Sequence, residues 1–284
     1  MTLNNGLFFY KHYFEGLPPA LGQRTPPDPT VGRLDLRPGS DLAKEQTSAR
    51  NDLLVKQTYQ DSSEDLPFTT PQYQWFQLET RYPGLLIGTG YPHDIPAAGA
   101  IKLGFYFDYT TGLPVIPGST VKGALSQRFD KHPDYVAEVL GESLGQAEPG
   151  KQITAVKELA REIFTGHKCV FLDAWPVRPS QEQEQQGRLL GMDTITPHPH
   201  KERYEGLMEP NPVYQLKVIP GVVFAFRFFL PERIGGLTRD VLLGAFKRII
   251  TDLGIGAKTN VGFGVFDDPE TPVTRLALLE SSVA

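Results

Sequence analysis

The stretch VYQLKVIPGVVFAFRFFL, Val213 to Leu230, holds two apolar runs around Pro220-Gly221, a dipeptide suited to a tight turn, and so predicts two strands. In the second run Val222, Phe224, Phe226, Phe228 and Leu230 fall on one face, while Val223, Ala225 and Phe229 make the other face largely apolar too. A strand with two apolar faces belongs inside a sheet. Downstream, Leu242, Phe246, Ile249, Ile250 and Leu253 form one stripe of a helix expected over Thr238 to Leu253, with Gly254 as its C-terminal cap. Gly262 to Phe266 then reads as a last short strand.

Upstream, Gln74 to Glu79 alternates as a strand does, and a second apolar stretch, Leu85 to Gly90, follows a Pro-Gly turn. In IPGSTVKGALSQRF, Pro117-Gly118 make a turn and Ser119 or Thr120 is placed to cap a helix whose apolar side is Val121, Ala124 and Leu125. Another helix is expected from Ile153 to Phe164, stopped by Gly166, and a buried strand from Lys168 to Ala174. The order strand, helix, strand, strand, helix, strand is that of an α+β, ferredoxin-like (RRM-like) βαββαβ unit. Its expected layout is an N-terminal extension over 1–70, partly irregular with one helix, a single domain over 71–268, and a tail over 269–284. Within the domain lie a helical insertion (132–166) and, at the polar run PSQEQEQQGRLL, a flexible one (179–190).

The 284 residues are 40% hydrophobic and 21% charged, enough apolar mass for a core. The net charge of -5 argues against a protein held on nucleic acid by bulk charge, so any such role must be local. No apolar run is long enough to span a bilayer and no secretory leader is visible, which makes the cytoplasm the expected location. Cys169, the single cysteine, lies in an apolar run and reads as a small buried hydrophobe.

The glycine-rich run GIGAKTNVGFG, Gly254 to Gly264, is neither of the common phosphate loops. Ala257 and Asp252 stand where a Walker A loop needs its two glycines, and Thr259 stands where a dinucleotide fingerprint needs its third. Following a helix, the loop sits at the negative end of a dipole and cannot clamp phosphate by that means. Gly254 and Gly256 permit close backbone approach, and Lys258, Thr259 and Asn260 add a cation and hydrogen-bonding groups, which suits single-stranded RNA. Glycines used only to pack a helix end against a strand would give the same pattern. At the other candidate site Ser119, Thr120, Lys122 and Arg128 lie on a helix that opens at a glycine-bearing turn, where free N–H groups favour an anion; a capped helix with a solvated lysine fits equally.

GIGAKTNVGFG resembles the glycine-rich signature of the RAMP superfamily of CRISPR RNA-binding proteins. Phe107-Asp-Tyr109 with GLPVIPGSTVKGAL (Gly112 to Leu125), Val170 to Ala174, and DTITPH (Asp193 to His198) resemble, in order and spacing from about residue 75 to 267, the family of sixth RAMP subunits in type III-B, or Cmr, effector complexes. The resemblance implies a ferredoxin-like fold and a cap on the helical backbone near the 3′ end of the guide RNA, in antiviral defence. It implies contacts with guide RNA, target RNA and the backbone, small and neighbouring capping subunits, and no catalysis, cofactor or metal. Phe263 departs from a frequent tyrosine, keeping the ring and losing the hydroxyl. The aromatic signature of an ordinary RNA recognition motif is absent and the strands read as apolar, so RNA is expected on loops and helix starts rather than on the sheet.

A rival reading is a metal-independent RNA-processing endoribonuclease of the same superfamily, which would need a histidine. His198 and His200 are close in TPHPH, but Pro199 favours an extended turn, and His12, His93, His132 and His167 have no suggestive company. His198, His200, Cys169 and Asp173 match no structural zinc spacing. Asp193 and Thr194 suit local pinning of a loop, and Asp108, Asp173 and Asp193 form no acid–base pair. A third reading is a protein-binding cap with slight RNA contact, which the net negative charge favours.

Overall fold

The computed structural model describes residues 4–15, 41–60, 73–90, 99–145, 148–166, 168–195 and 212–269. Along the chain, α1 (Asn5–Tyr10) and α2 (Asp41–Val55) precede β1 (Gln74–Thr80). Then come α3 (Gly118–Lys131), α4 (Pro133–Leu140) and α5 (Pro149–Ala160), the last running into a π turn at Arg161–Thr165. After them follow β2 (Val170–Phe171), β3 (Trp175–Arg178), β4 (Leu190–Ile195), β5 (Val213–Val218) and β6 (Val223–Phe229). A small hairpin, β7 (Arg233–Ile234) and β8 (Leu237–Thr238), leads to α6 (Arg239–Leu253) and β9 (Phe266–Asp267).

As its two apolar faces require, β6 lies inside the main antiparallel sheet, whose order is β2-β6-β1-β9 with β3 also on β6. On one face Phe76, Leu78, Phe224, Phe226 and Phe228 are buried, and the Phe228 and Phe171 rings meet Phe246 of α6 at 5.4 and 5.8 Å. Val121, Leu125 and Phe129 of α3 complete the layer, with Phe129 edge-on to Phe246 at 6.3 Å. Each such ring contributes about 1.5–3 kcal/mol by burial. On the other face Val223 and Ala225 pack on Val177, but Trp75, Phe229 and Val170 stay 41, 42 and 46% exposed. The expectation that the sheet shows no exposed aromatic is therefore corrected: the helices and β3 leave one end of that face uncovered among the described residues.

The two strands around Pro220-Gly221 exist but do not pair with each other. β5 pairs with β4 in a separate two-stranded sheet, from Leu190 opposite Val218 to Ile195 opposite Val213. The reason lies in the corner. Buried Thr80 accepts from the Gly221 N–H through its carbonyl (2.8 Å), donates its hydroxyl to the Ile219 carbonyl (2.7 Å), and accepts from the Val222 N–H (3.0 Å), so the turn folds onto the end of β1.

Three other expectations change. The strand expected over Lys168 to Ala174 is interrupted after Phe171, because Ala174 exchanges two backbone hydrogen bonds with Ile116 (2.9 and 3.0 Å) instead of continuing on β6. Where one helix was expected, the described residues of the N-terminal extension hold two α-helices. α1 has little periodicity of its own and owes its place to Phe9 and Tyr13, both fully buried, and to Asn4, whose side chain accepts from the Leu7 N–H at 2.8 Å. The last strand starts only at Phe266, since Gly262 and Gly264 turn the backbone at φ 94° and 71°. The polar run 179–190 closes on itself, with Gly187 N–H donating to the Ser180 carbonyl at 2.9 Å and Ser180 fully buried. Most of the segment between α1 and β1, and the tail from residue 270 on, lie outside the described residues.

Candidate nucleic-acid interface

The first N–H groups of a helix have no intrahelical acceptor. In α3 the N-cap is Pro117, which has no side-chain acceptor, so Ser119 and Thr120 lie inside the first turn and cap nothing, contrary to expectation. The cap comes from elsewhere: the Asp173 carboxylate, in the gap between β2 and β3, accepts from Gly118 N–H at 2.7 Å. Thr120 and Val121 donate to the Pro117 carbonyl at 2.8 and 3.0 Å, which leaves the Ser119 N–H without a hydrogen bond among the described residues. Gly118 is dictated by packing, since a Cβ there would lie 2.2 Å from the Phe171 carbonyl oxygen.

The glycine-rich loop is clipped to the segment after β1. Ile255 N–H donates to the Gly264 carbonyl (2.9 Å), Ala257 N–H to Leu86 (2.9 Å) and Gly264 N–H to Gly84 (2.8 Å). Gly264, at φ 71°, has no room for a Cβ, which would sit 1.9 Å from the Ile255 oxygen. Gly254 is buried beneath the loop, so its glycine serves the helix end. Lys258 takes a left-handed conformation (φ 58°) and opens a single turn, Thr259–Val261, in which Asn260 and Val261 face solvent.

Between these two walls lies an open groove of about 430 Å³, lined by Leu86 to Gly90, Tyr106, Pro117, Ser119, Thr120, Gly256 and Ala257. It brings Ser119, Thr120 and Gly256 together from distant parts of the sequence. Lys122, half-buried, and Lys258, Thr259 and Asn260 stand outside its lining, and Arg128 lies about 12 Å farther along α3 than Thr120. Gly88, Thr89, Gly90, Tyr106 and Asp173 were not singled out for this site by sequence. Only the positive φ of Gly88 (73°), whose Cβ would meet Tyr106 N at 2.8 Å, marks that segment, and spacing does not reveal it.

Every lining residue falls within 77–267, the span that matches the family model described as RAMP superfamily. The chain belongs to the RAMP superfamily. It is 29% identical over 173 residues to the CRISPR system CMR subunit Cmr6 of Saccharolobus solfataricus, a match covering 61% of this chain and 51% of that one. The chain thus spans about half the length of the curated relative it matches. Among solved structures, a chain in the cryo-EM structure of the type III-B Cmr-beta bound to cognate target RNA shares its fold. The TM-score is 0.55 at 24% identity, over 79% of this chain and 72% of that one. The crystal structure of Cmr6 from Pyrococcus furiosus gives a TM-score of 0.41 at 20% identity, over 69% of this chain and 97% of that one.

In this RAMP chain several of the polar groups weighed for chemistry make local contacts. His12 pairs with Glu15 at 2.8 Å on the surface, and His132 precedes α4. His93, His167, His198 and His200 lie outside the described residues, and among the described residues no group of three or more His, Cys, Asp or Glu is placed to hold a metal ion. Asp193 accepts from Thr194 N–H at 2.7 Å and pairs with Lys217 at 3.1 Å, and Lys217 also lies 5.9 Å over the Phe263 ring. Burial pushes the Cys169 thiol up to about 11, which keeps it protonated and inert. No described helix is long and apolar enough to cross a membrane.

Proposed function

We propose that this chain is a non-catalytic, RNA-binding structural subunit of a type III-B CRISPR ribonucleoprotein, capping its backbone near the 3′ end of the guide RNA. Its partners are the guide RNA, target RNA and the neighbouring backbone, small and capping subunits, in antiviral defence in the cytoplasm. We read the sheet order β2-β6-β1-β9, with α3 following β1 and α6 following β6, as a ferredoxin-like βαββαβ core. Its first α–β connection carries α4 and α5 as an insertion.

The observation that carries this reading is the groove itself. It faces solvent, opens at a helix N-terminus and is walled by a backbone kept bare by glycines, which suits an extended chain of phosphates and sugars rather than a small enclosed substrate. On it, Ser119, Thr120 and Gly256 contact the backbone, while Lys122, Lys258, Thr259 and Asn260 supply charge and hydrogen bonds at its rim. Gly254 shapes the loop from below, and Arg128 extends the basic side of α3.

The test is purification of the tagged chain from its native cell, with sequencing of bound RNA and identification of bound proteins. Guide RNAs sharing a 5′ tag, together with other RAMP subunits, are expected; a chain recovered alone and free of RNA overturns the reading. The alternative, a metal-independent endoribonuclease, predicts cleavage of repeat RNA by the lone chain in EDTA, where intact RNA is expected here.

A further inference from the structure

Three residues beyond Tyr106, which lines the groove, Tyr109 is 74% exposed. A ring left in water forgoes the stabilisation that burial would supply, so a surface tyrosine held rigidly needs another reason. Tyr109 is held. Tyr10 of α1 lies against it with ring centroids 5.3 Å apart and planes 34° apart. Tyr10 is itself fixed, because its hydroxyl donates to the Phe105 carbonyl at 2.7 Å and accepts from Phe107 N–H at 3.0 Å.

The backbone under the ring is tied as well. Asn4 donates its side-chain amide to the carbonyls of Tyr109 and Thr110 at 3.4 and 3.3 Å. The Asp108 carboxylate accepts from the N–H groups of Thr110 and Thr111 at 3.0 and 2.8 Å and from both hydroxyls at 2.6 and 2.9 Å. Its charge is thereby turned onto its own loop rather than presented to a ligand.

Tyr106, three residues earlier, lines the groove, so the backbone of Tyr109 lies within about 11 Å of that of a lining residue. Leu7, 50% exposed, lies one helical turn before Tyr10 on the same side of α1. Two rings and one leucine among threonines fall well short of the ~800 Å² per partner that a stable protein interface buries. A flat aromatic face, three residues from a groove suited to a sugar-phosphate chain, matches the needs of an unpaired base.

The geometry points to Tyr109, backed by Tyr10, as a stacking platform for an unpaired base of a single-stranded RNA whose backbone crosses the groove. This inference rests on the RNA reading of the groove. It is tested by anisotropy of a fluorescein-labelled oligouridylate with the full chain, over a range of salt. Tyr109→Ala should weaken binding about 5- to 100-fold, Tyr109→Phe should restore it, and the dependence of log K on log salt should be unchanged because no phosphate contact is lost. A photocrosslink to the peptide holding Tyr109 should vanish in the alanine variant. If Tyr109→Ala binds like the wild type while Lys122→Ala with Lys258→Ala does not, the platform is overturned and the groove reading stands. If the wild-type chain binds no RNA, both fall.

Discussion

On the α3 wall of the groove the helix end is closed by a side chain, Asp173, reaching Gly118 N–H from the gap between β2 and β3. On the glycine-loop wall the hydrogen bonds found among the described residues are backbone ones: the backbone of Ile255 to Gly264 closes on itself and on Gly84 and Leu86. The first arrangement is replaceable, because a cap contributes one hydrogen bond. The second is not, because it depends on a missing Cβ. The contrast separates the groups that shape the groove (Gly118, Asp173, Gly254, Gly264) from those the proposed function gives to a ligand (Ser119, Thr120, Gly256 and the rim lysines).

The largest effect that would break this contrast is at Gly264. A Cβ 1.9 Å from the Ile255 oxygen, on a residue at φ 71°, forces the loop off the helix end. Gly264→Ala should destabilise the chain by roughly 4 kcal/mol, seen as a fall in Tm of about 8–16 °C by circular dichroism. A Tm within a degree of wild type would mean that the close approach is dispensable. Asp173→Ala should cost about 0.5–2 kcal/mol, the ordinary value of a lost cap, and lower Tm by about 1–8 °C. A loss as large as that of Gly264→Ala would erase the distinction between the walls. Gly123→Ala, on the exposed side of α3 with nothing within 4 Å of the added methyl, should instead raise stability by about 0.5–1 kcal/mol.

The contrast also accounts for what was legible beforehand. β6 could be read directly because apolar residues on both faces leave an interior strand as the only economical place for it, and α6 because its stripe and Gly254 agree. The partner of β5 was not legible, since pairing depends on Thr80, a residue remote in sequence that takes the turn's N–H groups and carbonyl. Asp173 looked like a stray carboxylate in an apolar run; its role appears only where the strand breaks and brings it to Gly118. The glycine signature was visible as spacing, but whether it bares backbone to a ligand or admits neighbouring backbone is a question of distance. Gly264 answers it one way and Gly256 both ways, being exposed to the groove yet 2.7 Å, at its Cβ position, from the Leu86 oxygen.

The smallest effect on the fold should come from the rim. Lys122 and Lys258 have no ion-pair partner among the described residues, so replacing both by alanine removes no native interaction of that kind, and stability should stay within about 0.5 kcal/mol of wild type. If each lysine neutralises one RNA phosphate, the slope of log K against log salt should fall by about 0.7 per lysine, as it does for single strands. Such a change, with Tm unmoved, would assign the rim lysines to the ligand rather than to the fold. An unchanged slope with weaker binding would mean instead that the lysines shape the loop rather than meet phosphate, and the division between the two sets of residues would have to be redrawn around the Thr259–Val261 turn that Lys258 opens.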